Sequence, residues 1–251
     1  MRTLLAAGRE TAHIDLSLAD LAEGEVLDLE AGPERAAVIL TGRVDATAGE
    51  TALGIAGGRK SVFEAPGDTV YAPAGMSMRL QAVEGPAQVA VTATAAPADG
   101  IPPRIIRPDD QRIAEVGKGN WSRTVRTILG PEHQASRLLL GETINPPGNW
   151  SSYPPHRHDR DDPPREVNLE EVYMFRVDPP GGFGIQILYD ENGHEESFLV
   201  RDDDVAAITH GFHPVVAASG YSLYYLWVLA GDGREMIPYM DPAHAWVQEQ
   251  G

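Results

Sequence analysis

A chain of 251 residues with 42% apolar side chains can bury one large core or two moderate ones. Its formal net charge of -17, from 37 acidic against 20 basic residues, argues against a nucleic-acid partner, because binding to phosphates rests on Lys and Arg. No cysteine is present, which excludes disulfides and thiolate clusters and leaves His, Asp and Glu as the metal-binding side chains.

The opening residues, "MRTLLAAGRETAHIDLSLADL", meet Glu10 before any long apolar run. No secretory leader or membrane-spanning stretch is expected there, no membrane partner is implied, and a cytoplasmic location is the default. Positions 16–21 predict a short helix or turn. The stretch 35–49 reads as a strand ending near Gly42 and followed by a turn. Residues 58–83 hold three strand-like pieces divided by Pro66-Gly67 and by Pro73 to Gly75, and 87–96 is β-branched and alanine-rich, fitting a further strand. The proline-dense stretch 96–110 is expected to connect two halves.

Beyond it, "WSRTVRTILG" and "SRLLLGETINPPG" are strand-sized and alternating. "EVYMFRVDPPGGFGIQILYDENG" predicts a hairpin: a strand over 171–177, a turn over 179–182 and a strand over 183–189, with a tight turn at Asn192-Gly193. Four more short strands follow up to residue 231. The whole predicts an all-β chain, and its 26 glycines and 20 prolines suit many short strands and turns arranged as a sandwich or jelly-roll barrel.

The halves resemble each other. "PGDTVYAPAGMSMRL" (66–80) aligns without gaps to "DDDVAAITHGFHPVV" (202–216), an offset of 136 residues. At that offset His213 falls opposite Ser77, and Glu171 falls opposite Arg35. Any metal chemistry is therefore expected in the second half alone.

The segment "NWSSYPPHRHDRDDPPREVNLEEVYMFR" (149–176) carries the candidate chemistry. In an extended chain His156 and His158 point the same way, and Pro154-Pro155 favour extension just before them. Glu171 opens the next strand, and a late histidine follows a turn glycine. Both His210 and His213 flank Gly211 and compete for that place. Three imidazoles and one carboxylate suit one divalent metal ion per chain: Zn, Mn, Fe, Co or Ni.

The order H-x-H, Glu at a strand start, Gly-rich turn and distant His resembles the cupin superfamily. More narrowly, "NPPGNWSSYPPHRHDRDDPPREVNLEEVYMFRVDPPGGFGIQ", with "WSRTVRTILG", "GFHPVVAASGYSLYYLWVLAG" and "DPAHAWV", resembles the 5-deoxy-glucuronate isomerases of bacterial myo-inositol catabolism. The likeness is dense from 117 to 247 and diffuse before it, and the twelve residues between His158 and Glu171 are part of it. The resemblance implies a bicupin, two jelly-roll barrels in one chain: a metal-free barrel over 1–110 and a metal-binding barrel over 111–251. It places the ligands on His156, His158, Glu171 and His213, leaving His210 where the family more often has arginine. Edge strands of such sheets are commonly covered by a second copy, so a homo-oligomer is expected.

The reaction implied is conversion of 5-deoxy-D-glucuronate, an aldehyde, to 5-dehydro-2-deoxy-D-gluconate, a ketone. Glu171 is then a ligand or the base, and the hydroxyls of Tyr153, Tyr173 and Tyr225 are candidates for proton relay. A uronic acid substrate needs a basic partner, for which Arg165, Arg176 and His210 are the candidates. Another metal-dependent cupin enzyme, a dioxygenase or dehydratase, would share the same ligands. A sugar-acid-binding cupin without turnover is the alternative from outside enzymes.

Overall fold

The computed structural model describes residues 1–249, and among them finds twenty strands and three short 3-10 helices but no α-helix. None of the described helices is long and apolar enough to cross a membrane. The chain divides into two compact units, Met1–Arg112 with Ile128–Leu139, and Ile113–Thr127 with the chain from Leu140 onward.

The first unit is one eight-stranded sheet of β1 (Arg2–Leu5), β2 (Ile14–Leu21), β3 (Val26–Leu29), β4 (Glu34–Ala48), β5 (Thr51–Gly57), β6 (Thr69–Ala72), β7 (Met78–Thr94) and β8 (Arg104–Ile106). The path runs β1-β2-β7-β4-β6-β8, with β3 also on β7 and β5 also on β4. Alternation builds the core, since Ala37 and Ile39 on β4 and Val89 and Val91 on β7 all turn to the same buried cluster.

Two local expectations change here. The segment 16–21 is strand, because Ile14, Leu16 and Leu18 alternate with Asp15 and Ser17 and pair along β7. The strand expected to stop near Gly42 continues through a register shift between Ile39 and Arg43. Gly42 sits there at φ +76°, and a Cβ would lie 2.2 Å from the Pro86 carbonyl oxygen.

Segment 128–139 belongs to the first unit through Glu34. This fully buried carboxylate accepts the backbone N–H groups of Ser136 at 2.7 Å, Arg137 at 2.8 Å and Leu138 at 3.1 Å, and the Tyr71 hydroxyl at 2.7 Å. The Arg104 guanidinium adds a bond to the Gln134 carbonyl and Ser136 Oγ one to Asp99, so the segment is tied at several points.

The remaining strands lie wholly or mainly in the second unit: β9 (Arg112–Val116), β10 (Arg123–Leu129), β11 (Leu139–Asn145), β12 (Trp150–Ser151), β13 (His156–Arg157), β14 (Leu169–Asp178), β15 (Gly184–Tyr189), β16 (Glu195–Val200), β17 (Val205–Ile208), β18 (Val215–Ala217), β19 (Ser222–Gly231) and β20 (Tyr239–Met240). They form a six-stranded sheet, β17-β14-β19-β11-β10-β9, a four-stranded sheet, β12-β18-β15-β16, and the pair β13-β20. β14 and β19 run antiparallel from Leu169 opposite Gly231 to Asp178 opposite Ser222. The hairpin expected over 171–189 does not form: β14 pairs with β17 and β19, whereas β15 pairs with β16 and β18.

The two jelly-roll barrels are likewise corrected. All four sheets are open, with β1 and β8, β17 and β9, and β12 and β16 left as end strands. Closure would require the end strands of a sheet to bond to each other, and they do not. Short alternating strands predict β-structure without fixing which strands meet.

Candidate metal centre

β13 positions the first two histidines. His156 pairs with Met240 and Arg157 with Tyr239, which keeps the backbone extended and sends His156 and His158 to one side. Arg157 goes to the other side, 4.6 Å from the Tyr239 ring centre and 5.3 Å from that of Phe212. Its Nε lies 3.2 Å from Glu166 Oε2, and Glu166 Oε1 accepts the N–H groups of Asp159 and Arg160 at 2.8 and 3.0 Å. The acidic, proline-rich stretch is therefore a tied loop. Its ends meet, because the Leu169 N–H donates to the His158 carbonyl at 2.8 Å. A separation of twelve residues in sequence thus becomes direct contact between His158 and Glu171.

Alternation along β14 places Leu169, Glu171 and Tyr173 on one face. His213 lies just before β18, after Gly211 at φ +81°, where a Cβ would come 2.6 Å from the Tyr189 carbonyl oxygen. The Gly211 N–H donates to Asp159 Oδ2 at 2.6 Å, and the Gln186 amide donates to the His213 carbonyl at 3.0 Å.

Three ring nitrogens, one each from His156, His158 and His213, lie within 4.8 Å of one another. Glu171 Oε2 is 3.2 Å from both His158 Nε2 and His213 Nε2. His158 Nδ1 is 2.6 Å from the Leu169 carbonyl oxygen and His213 Nδ1 is 3.1 Å from that of Gly211. A carbonyl accepts only from N–H, so each Nδ1 carries a proton and Nε2 is the ring nitrogen left to meet a metal ion. His213 Nε2 is buried without a hydrogen-bond partner, since its approach to Glu171 is close but not aligned. Such an orphaned nitrogen costs about 1–3 kcal/mol, and a cation at the centre would satisfy it. The donor set fits a divalent first-row metal.

The electrostatics agree. Burial pushes the Glu171 carboxyl up, but the contacts from His158 and His213 outweigh it and hold its pKa at about 2, so it is charged at neutral pH. Burial, then the neighbouring imidazoles of His213 and His158, hold His156 well below the usual histidine range. Burial also lowers His158, yet its hydrogen bond to Glu171 prevails and raises it. Tyr173 is pushed well up by burial and by the Glu171 charge, and Tyr225 is raised by burial.

A cavity of about 250 Å³ opens on this cluster. β19 lines it at alternate positions with Tyr225, Trp227 and Leu229, opposite the β14 row. Gly141 on β11 makes room for Trp227, since a Cβ there would lie 2.2 Å from the indole ring. The Tyr173 hydroxyl is 2.8 Å from Ser152 Oγ, the Tyr225 hydroxyl bonds Ser151 Oγ, and the two tyrosine rings are 4.4 Å apart.

His156, His158, Glu171, Tyr173 and Tyr225 are thus brought to one cavity, with His213 buried beside it. Tyr153 is not among the lining residues; its ring packs 5.7 Å from that of Trp150. Arg165 is exposed and ion-paired with Asp162 at 2.5 Å. Arg176 pairs with Asp203 on the face of β14 opposite Glu171, as alternation requires. His210 is exposed beside Thr209 and His194. The basic residue that does line the cavity is Arg123 on β10, which sequence reading missed. "WSRTVRTILG" offers Arg123 and Arg126 equally, and strand register sends one to the cavity and the other to Glu142 at 3.3 Å.

Comparison with known proteins places the chain in a family. Residues 3–247 match the model of the KduI/IolB family. The 5-deoxy-glucuronate isomerase of Halalkalibacterium halodurans is 38% identical over 94% of this chain and 88% of its own length. That of Bacillus subtilis strain 168 is 35% identical over 96% of this chain and 90% of its own length. Among solved structures, an IolB-like protein from Salmonella typhimurium LT2 superposes with a TM-score of 0.93 at 31% identity, covering 98% of this chain and 94% of the other. Bacillus subtilis oxalate decarboxylase shares the fold alone, with a TM-score of 0.63 at 13% identity over 89% of this chain and 70% of the other. A family match spanning nearly the whole chain, joined to relatives this similar along most of their own length, establishes that the chain belongs to the KduI/IolB family.

Proposed function

We propose that this chain is a 5-deoxy-glucuronate isomerase, converting the open-chain aldehyde 5-deoxy-D-glucuronate to the ketone 5-dehydro-2-deoxy-D-gluconate. The observation that carries the reading is the cluster of His156, His158 and His213 around Glu171, at a cavity with two buried tyrosines, in a chain whose relatives are isomerases of that name. His156, His158, His213 and Glu171 would hold one divalent ion, of zinc, manganese, iron, cobalt or nickel, and the ion belongs to the second unit. When bound, it would supply Lewis-acid polarisation of the sugar carbonyl.

The reaction removes the proton from C2, moves the double bond through an enediol, and returns a proton to C1. The C1 oxygen gains a proton as the C2 hydroxyl loses one, so atoms and charge balance. Glu171, charged at neutral pH, serves either as the fourth ligand or as the group that takes the C2 proton. Tyr173 and Tyr225, kept protonated by burial, are donors for the oxygens on which charge develops.

The test follows the aldehyde proton by NMR while metal-loaded protein acts on 5-deoxy-D-glucuronate in deuterated water. Loss of the aldehyde signal with deuterium on the former aldehyde carbon is the expected result. No conversion at full metal occupancy would reject the reading.

A further inference from the structure

Arg123 is a cation set into the cavity wall with no acidic partner among the described residues. Arg126 and Arg157 of the same unit are buried against Glu142 and Glu166, at 3.3 and 3.2 Å. Arg123 instead spends Nη1 on two backbone carbonyls, Trp121 at 3.2 Å and Tyr153 at 3.3 Å. Its Nε is buried without a hydrogen-bond partner among the described residues. A guanidinium short of acceptors is the group that a carboxylate oxygen satisfies with a charge-assisted hydrogen bond. The placement is built in: Gly117 stands beside it at φ +84°, and a Cβ there would lie 2.9 Å from Arg123 Nη1. Among the residues lining the cavity Arg123 is the single Lys or Arg. An uncompensated half-buried charge is costly, and an anionic occupant would offset that cost.

We infer that Arg123 binds the carboxylate of the substrate and sets the preference for an acid sugar over a neutral one. The inference rests on the isomerase reading for the identity of the acid. The histidine cluster, where the ion would polarise the carbonyl, takes the aldehyde end of a sugar acid, which leaves its carboxylate for Arg123 on the cavity wall. The wall between them includes Val125, Leu169 and Leu229, apolar side chains that suit a deoxygenated carbon.

The experiment uses metal-loaded, full-length protein and two unreactive ligands. One is the polyol acid made by reducing the aldehyde of 5-deoxy-D-glucuronate, and the other is its neutral counterpart with the carboxylate reduced as well. In calorimetric titration the unaltered protein should bind the acid roughly tenfold to a hundredfold more tightly, the range of one charge-assisted pair. Arg123→Gln should bring the acid down to the affinity of the neutral polyol, whose own affinity stays the same. Arg123→Lys should keep part of the preference, and its ratio decides the matter if the Gln variant does not fold. Three results would each overturn the proposal: no preference for the acid in the unaltered protein, an undiminished preference in the variants, or equal weakening of both ligands. Selective binding through Arg123 without conversion of 5-deoxy-D-glucuronate would instead remove the isomerase reading and leave this one standing.

Discussion

His213 shows how much one side chain carries at this site: its Nδ1 faces a carbonyl and its buried Nε2 has no partner but the centre of the cluster. His213→Ala should lower metal affinity at least about a hundredfold and activity with it, since loss of a ligand exceeds the 10–100-fold cost of losing a supporting partner. His210→Ala is the matched control, expected to retain full metal because His210 is exposed; metal analysis after dialysis separates the two. Tyr173→Phe should keep the metal and reduce kcat by roughly 10²–10⁴-fold, the usual contribution of a positioned proton donor. An unchanged kcat would remove Tyr173 from the chemistry. The histidine pair and Glu171 were legible in the sequence because period-two alternation aligns side chains whatever the sheet. Arg123 was not, because choosing it over Arg126 requires knowing which face of β10 meets the cavity. Arg165 and Arg176 drew attention as charges near the motif, and each is satisfied by an acidic neighbour, Asp162 or Asp203.

At the scale of elements, strand existence followed from alternation and turn residues, and strand pairing did not. Pro179 to Gly182 is a turn, yet the strands on either side of it join different sheets. Gly42 marks a bulge inside a strand and not its end. A long-range anchor such as Glu34 leaves no local signature, since Tyr71 lies 37 residues away and its backbone partners 102–104. Glu34→Ala would leave three backbone N–H groups and the Tyr71 hydroxyl without their acceptor. It should destabilise the first unit by about 3–5 kcal/mol, the cost of unmaking a buried charged network. Denaturant unfolding gives the magnitude, and hydrogen exchange should show the amides of 136–138 losing protection first. Protection at those amides equal to that of the unaltered protein would contradict the anchoring role.

At the scale of the molecule, the open sheets finish in end strands that each have one neighbouring strand, an edge that proteins ordinarily cover or charge. We propose that a second copy of the chain provides cover, and light scattering at micromolar concentration should give a mass at least twice 27.1 kDa. A monomeric mass would remove that proposal.

The most direct test of the account is X-ray absorption on metal-loaded protein, compared between the unaltered chain and His213→Ala. The account predicts a single ion with three imidazole nitrogens at about 2.0–2.1 Å and a carboxylate oxygen at a similar distance. One imidazole should be lost in the variant. An ion bound without histidine ligands, or an unchanged shell in His213→Ala, would contradict it.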